Sequence, residues 1–162
     1  MGPKDVIRKT LEMSDYILKS YVKDLSDADL RLIPVEGMHP IALQLGHLIS
    51  VEKMLLEMVK PGAAPPLPDG FKETHDIKVA NSDVSRFATK DEYVKLWDEQ
   101  LAATIAILDG VDESELDDNR DGKLPTFAPT VGVVLNMVGV HALSHVGQFV
   151  AVRRLLKKPI AF

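Results

Sequence analysis

From Leu124 to Val152 the chain carries no formally charged side chain, yet Asn136, His141, Ser144, His145 and Gln148 interrupt the apolar run. Such a segment has two ways to fold. It can span a bilayer, whose core takes about 20 apolar residues. Or it can form the central helix of a soluble bundle, apolar nearly all round because it is buried nearly all round. Polar groups of this kind are expensive inside a membrane, and the run lies last in the chain with no second apolar span beside it. The residues therefore favour a central helix, and no membrane partner is expected.

Three further segments have helical periodicity. The first runs from about Pro3 to Leu25, with Ile7, Leu11, Leu18, Tyr21 and Leu25 on one face. The second starts near His39-Pro40, carries Ile41, Leu45, Leu48, Ile49, Leu55, Leu56 and Val59, and stops at Lys60-Pro61-Gly62. The third opens on Thr89-Lys90-Asp91-Glu92, the pattern of a capping box, and ends at Asp109-Gly110. Its stripe of Tyr93, Leu96, Trp97, Leu101, Ile105 and Leu108 faces inward. The last helix spans about Pro129-Thr130 to Leu156. No strand pattern or internal repeat is visible, so the reading is all-α, a four-helix bundle forming one domain over residues 1–162.

The second connection, Lys60 to Ala88, has prolines at 61, 65, 66 and 68. A loop this long is unusual in a compact domain and is often functional. It is long enough to run the length of a bundle and leave the second and third helices parallel. The next loop is acidic at Asp112, Glu113, Glu115, Asp117 and Asp118, which reads as a solvated surface.

Composition narrows the chemistry. Cysteine is absent, which excludes disulfides, thiolate ligands and a cysteine nucleophile within this chain. The formal charge of −5 opposes general nucleic-acid binding, which needs clustered cations. The one dense basic cluster, Arg153, Arg154, Lys157 and Lys158, sits where a helix C-terminus favours cations. Met1-Gly2-Pro3-Lys4-Asp5 lacks the apolar core of a secretion signal, so a cytoplasmic location is expected.

The histidines are the chemical signal. His141 and His145 are four apart, so on a helix both imidazoles lie on one face and can reach one ion. Residues 141, 144, 145 and 148 form a polar stripe on an apolar helix, and buried polar groups need partners. His47, on the second helix among Leu45, Leu48 and Ile49, is the best third ligand. The competing reading makes all three hydrogen-bonded core groups, and spacing leaves both open. His39 precedes Pro40 and caps the second helix; His75, in the long loop, reads as exposed to solvent. Tyr16, Tyr21, Trp97 and Phe149 sit at core spacing. Glu52 is near His47 in sequence, without an assigned role.

Two motifs carry a resemblance. Gln44-Leu45-Gly46-His47-Leu48, followed by Glu52, resembles the second helix of the DinB-like (DNA-damage-inducible) superfamily. His141-Ala142-Leu143-Ser144-His145-Val146-Gly147-Gln148, then Arg153-Arg154, resembles its fourth. The motifs cover a small part of the chain; helix number and order extend the likeness over most of it. The resemblance implies an up-down-down-up bundle with a three-histidine metal site at His47, His141 and His145, holding one divalent ion, zinc or nickel. It also implies a homodimer. Members of known activity include S-transferases and a maleylpyruvate isomerase that use low-molecular-weight thiols. Val146 departs from the basic residue often found there.

Three neutral imidazoles leave a coordination position open, the pattern of a catalytic rather than a structural site. A metal-dependent transferase or hydrolase acting on a small molecule is thus expected, with Gln148 orienting a ligand or a histidine. The rival readings are a metal-holding bundle without chemistry and a purely structural helical protein.

Overall fold

The computed structural model describes residues 1–78 and 84–160. Among them all regular structure is helical: α1 (Pro3–Val22), α2 (Asp27–Leu30), α3 (Ile41–Val59), α4 (Phe71–Thr74), α5 (Lys90–Gly110) and α6 (Val131–Leu155), with short 3₁₀ turns at Val84–Arg86, Glu113–Asp117 and Arg120–Gly122. The boundaries follow local chemistry. Thr89 accepts a hydrogen bond from the Glu92 amide, while the Thr89 amide donates to the Glu92 carboxylate at 2.8 Å. Thr130 caps α6 through the Val133 amide. The N-cap of α3 is Pro40, not His39. The two four-residue helices fall in stretches read as loops; Ser26-x-x-Asp29 is a capping box that marks the start of α2.

The α1 helix packs most extensively on α6, α3 packs on both α5 and α6, and α1 also meets α5. The approach of α1 to α6 is close because Gly139 has no side chain: a Cβ there would lie 2.9 Å from the Thr10 methyl and 3.1 Å from the Thr10 carbonyl. Leu11, Ile41, Ile49, Leu56, Leu108, Val134, Leu135 and Phe149 are fully enclosed. Among the described residues α6 alone is long and apolar enough to cross a membrane. Its inner face is buried on α1 and α3. Tyr21, Trp97 and Phe149 lie in the core as expected, but Tyr16 does not: it is 61% exposed. Asp15, one residue earlier, holds the inward turn of α1 by accepting from Trp97 Nε1 at 2.9 Å.

The basic cluster divides. Arg153 is 2% exposed and donates to Asp24 Oδ1 at 2.6 Å, the Tyr21 carbonyl at 2.7 Å and the Pro159 carbonyl at 2.8 Å, fastening the end of α6 to the end of α1. The acidic loop is an ordered surface in which Arg120 pairs with Asp118 and Glu115.

One core residue breaks the apolar rule. Glu52 on α3 is 2% exposed, and burial pushes its carboxyl up to about 8. Thr104 Oγ1 lies 2.6 Å from Oε1 and 3.1 Å from the Gln100 carbonyl. The sign of its effect on stability follows from the order of the two pKa values. Below pH about 4.5 the carboxyl is protonated in both states and the folded chain bears no penalty. Between 4.5 and 8 the unfolded chain loses the proton and the folded chain keeps it, so stability falls by about 1.4 kcal/mol per pH unit. Glu52→Gln removes this dependence. In urea unfolding of metal-free protein, its stability relative to the parent should rise between pH 5 and pH 8 by on the order of 3 kcal/mol. Parallel pH curves would mean that Glu52 is ionised in the folded state.

Candidate metal centre

His47 projects from the middle of α3, and His141 and His145 from successive turns of α6. All three are half-buried, and one ring nitrogen from each lies within 4.8 Å of the others. The His47 ring centroid is 5.3 Å from each of the other two. His141 and His145 approach most closely, Nε2 to Nε2 at 3.2 Å.

A chain of hydrogen bonds fixes how His145 presents itself. The Gln44 amide nitrogen donates to the His39 carbonyl at 3.0 Å, which orients the amide. Gln44 Oε1 then faces His145 Nδ1 at 2.9 Å. A carbonyl oxygen only accepts, so Nδ1 carries the hydrogen and Nε2 carries a bare lone pair. That lone pair points toward His141. Histidines that bind metal are characteristically held this way, by an oxygen on the ring nitrogen turned away from the ion.

Electrostatics keeps the cluster neutral. Burial lowers the pKa of all three imidazoles, most strongly His145, which falls to about 4, with His141, His47 and His39 adding repulsion. For His47 the Asp76 carboxylate partly opposes the effect of burial. Neutral imidazole is the form that ligates. Two tetrahedral zinc ligands at about 2.0–2.1 Å are about 3.4 Å apart, close to the separation of the two Nε2 atoms. The donor set therefore fits a divalent ion that accepts nitrogen.

The other expected residues fall differently. Gln148 is exposed, and the contact that orients His145 comes from Gln44, a fully buried residue one helix away. Gln44 had a signal in sequence, a buried amide three residues before a histidine, but its pairing across helices had none. His75 is not exposed to solvent; it is 2% exposed. Its Nδ1 lies 2.7 Å from the Phe71 carbonyl, so the hydrogen is there and Nε2 accepts from the Tyr93 hydroxyl at 2.6 Å. Its ring occupies the space where Gly46 would carry a Cβ, directly beside the His47 position. The long connection is further held by Pro65, whose carbonyl accepts from Lys53 and Gln100.

Gly46→Ala should therefore displace His75 and loosen the connection, destabilising the protein by about 1–3 kcal/mol, the range for overpacking. Combining it with His75→Ala should recover much of that loss; simple additivity of the two in a double-mutant cycle would show that they do not interact. The depressed imidazole values also set the pH dependence of metal binding. From pH 7.5 to 5.5 zinc affinity should fall by clearly less than the roughly 1,000-fold that three histidines at the ordinary value near 6.5 would lose. Competition titration with a chelator distinguishes the two.

Comparison with known proteins agrees with this geometry. No curated protein sequence matches the chain. A conserved protein from Enterococcus faecalis, known from its crystal structure, is 20% identical to this chain. It superposes with a TM-score of 0.73 over 96% of this chain and 97% of that one, a likeness of fold. The family model of the DinB superfamily matches residues 10–149, a span that takes in all three histidines, and the chain belongs to that superfamily.

Proposed function

We propose that this protein is a metal-dependent enzyme acting on a small molecule, a thiol-dependent S-transferase or a related hydrolase. His47, His141 and His145 would hold one divalent ion, zinc or nickel. The observation that carries this reading is the His39–Gln44–His145 chain, which turns a bare Nε2 toward the facing Nε2 of His141. The His47 ring lies 5.3 Å from each of these two, so three histidines converge here rather than one hydrogen-bonded pair.

When bound, the ion would act as a Lewis acid, making a water or an external thiol nucleophilic near neutral pH. The chain's own residues do the rest. Gln44 holds the ring of His145, burial keeps the three imidazoles unprotonated, and His75 fastens the 60–88 connection beside His47. The thiol must come from outside, since the chain has no cysteine.

The same reading gives the four long helices an up-down-down-up order within one domain, supported by the long α3–α5 connection and by the contacts of α3 with both α5 and α6. It makes the protein a cytoplasmic homodimer. The exposed Val133 and Val140 on α6 are compatible with a paired surface. Engagement of Arg153 with Asp24 supports a protein without a nucleic-acid partner.

A second reading, a metal-holding protein without turnover, draws on the cavities. Two spaces of about 370 Å³ flank the 68–71 segment, one lined by Phe71, His75, Arg86 and Leu96 and the other by Ser50, Lys53, Met54 and Glu57, and no triad histidine lines either. Metal analysis by mass spectrometry on tag-free protein tests the shared premise. About one equivalent of zinc or nickel should be present, and His145→Ala should lose it. A parent protein that stays metal-free after supplementation and dialysis would overturn both readings. A metal-loaded protein inert toward a panel of thiol and electrophile pairs would favour the second.

A further inference from the structure

Beside His141 lies a narrow crevice lined by Leu48, Val51, Glu52, Leu55, Trp97, Val138 and His141. Its polar chemistry is sparse. Four of the seven residues are aliphatic, and the indole nitrogen of Trp97 is committed to Asp15. That leaves Glu52 and His141. Glu52 Oε2 is buried and has no hydrogen-bond partner, while Oε1 is held by Thr104. An unpaired buried oxygen costs about 1–3 kcal/mol, so it calls for an explanation.

His141 has the complementary deficiency. Its Nε2 is turned to His145, and among the described residues no hydrogen bond is seen at its other nitrogen like the one Gln44 makes to His145. An imidazole that ligates through Nε2 carries its hydrogen on Nδ1 and characteristically donates it to an oxygen. We propose that Glu52 is the positioning residue of the metal centre, its unpaired Oε2 receiving the Nδ1–H of His141 when an ion is held. This inference rests on the metal-centre reading above.

The local network suits that role. Thr104 Oγ1 donates to Oε1 at 2.6 Å and lies 3.1 Å from the Gln100 carbonyl. Oε2 is left with lone pairs that nothing else engages, which is what an imidazole N–H requires. The crevice is too narrow for a water, so none is available to substitute for the carboxyl. Glu52 thus stands to His141 as Gln44 stands to His145, and both reach across from α3 to α6.

The test is metal affinity, with Zn²⁺ as probe in competition with a chromophoric chelator, and the visible spectrum of the Co²⁺-substituted protein as a readout of ligand geometry. Glu52→Leu should weaken Zn²⁺ binding about 10–100-fold, the range for loss of such a partner, and alter the Co²⁺ spectrum. Its metal-free form should melt no lower than the parent, because an unpaired buried oxygen has been removed. Glu52→Gln keeps an amide oxygen and should recover most of the affinity; it also serves as the probe if the leucine variant does not fold. Unchanged Zn²⁺ affinity and an unchanged Co²⁺ spectrum in a folded Glu52→Leu protein would overturn the inference while leaving the metal centre intact. Failure of the parent to bind Zn²⁺ or Co²⁺ would overturn both.

Discussion

The hydrogen bond between Gln44 and His145 joins the two helices on which the site depends. α6 is almost featureless by hydrophobic pattern, so greasy contacts alone would tolerate rotation or sliding against α3. A 2.9 Å bond between a buried amide and a half-buried imidazole allows much less, because breaking it leaves the buried Gln44 Oε1 without its partner. The His39 carbonyl extends the constraint to the chain entering α3. Register of the helices and tautomer of the histidine are thereby set by the same atoms.

Glu52 shows the same principle at greater free-energy cost. An unpaired carboxyl in the core is destabilising, and Thr104 satisfies only part of its bonding capacity. With Gln44 and the half-buried His47 it sets three polar side chains among the apolar residues on the inner side of α3. Polar atoms retained inside such a helix trade stability for placement of other groups.

Much of this was legible in the sequence because it rests on local rules. The Thr89–Glu92 capping box, the Pro-Gly stop after Lys60 and the inward stripe of Trp97 and Leu101 depend on neighbours a few residues apart. The spacing of His141 and His145 fixed their shared face for the same reason. What escaped was long-range. Gln44 and His145 are 101 residues apart, and no periodicity links them. Gln148 lies exposed on α6, and it is the Gln44 amide of another helix that meets His145 Nδ1. A place in a loop points to exposure for His75; what buries it is the bare backbone of Gly46 on another element. Tyr16 failed for a subtler reason, since the inward position on that turn of α1 belongs to Asp15 and its indole partner.

The connection from Lys60 to Lys78 touches the rest of the molecule at Glu57, Lys53, Gln100 and Tyr93, through its own backbone amides, the Pro65 carbonyl and the His75 ring. A segment tethered at so many points does not swing on a hinge. Its release would require several bonds, the buried His75–Tyr93 one among them, to break together, which puts it in the class of sub-global opening. Hydrogen exchange from its protected amides would then follow the stability of the α3–α5 contact, and access beneath the segment would be governed by the thermodynamics of partial unfolding.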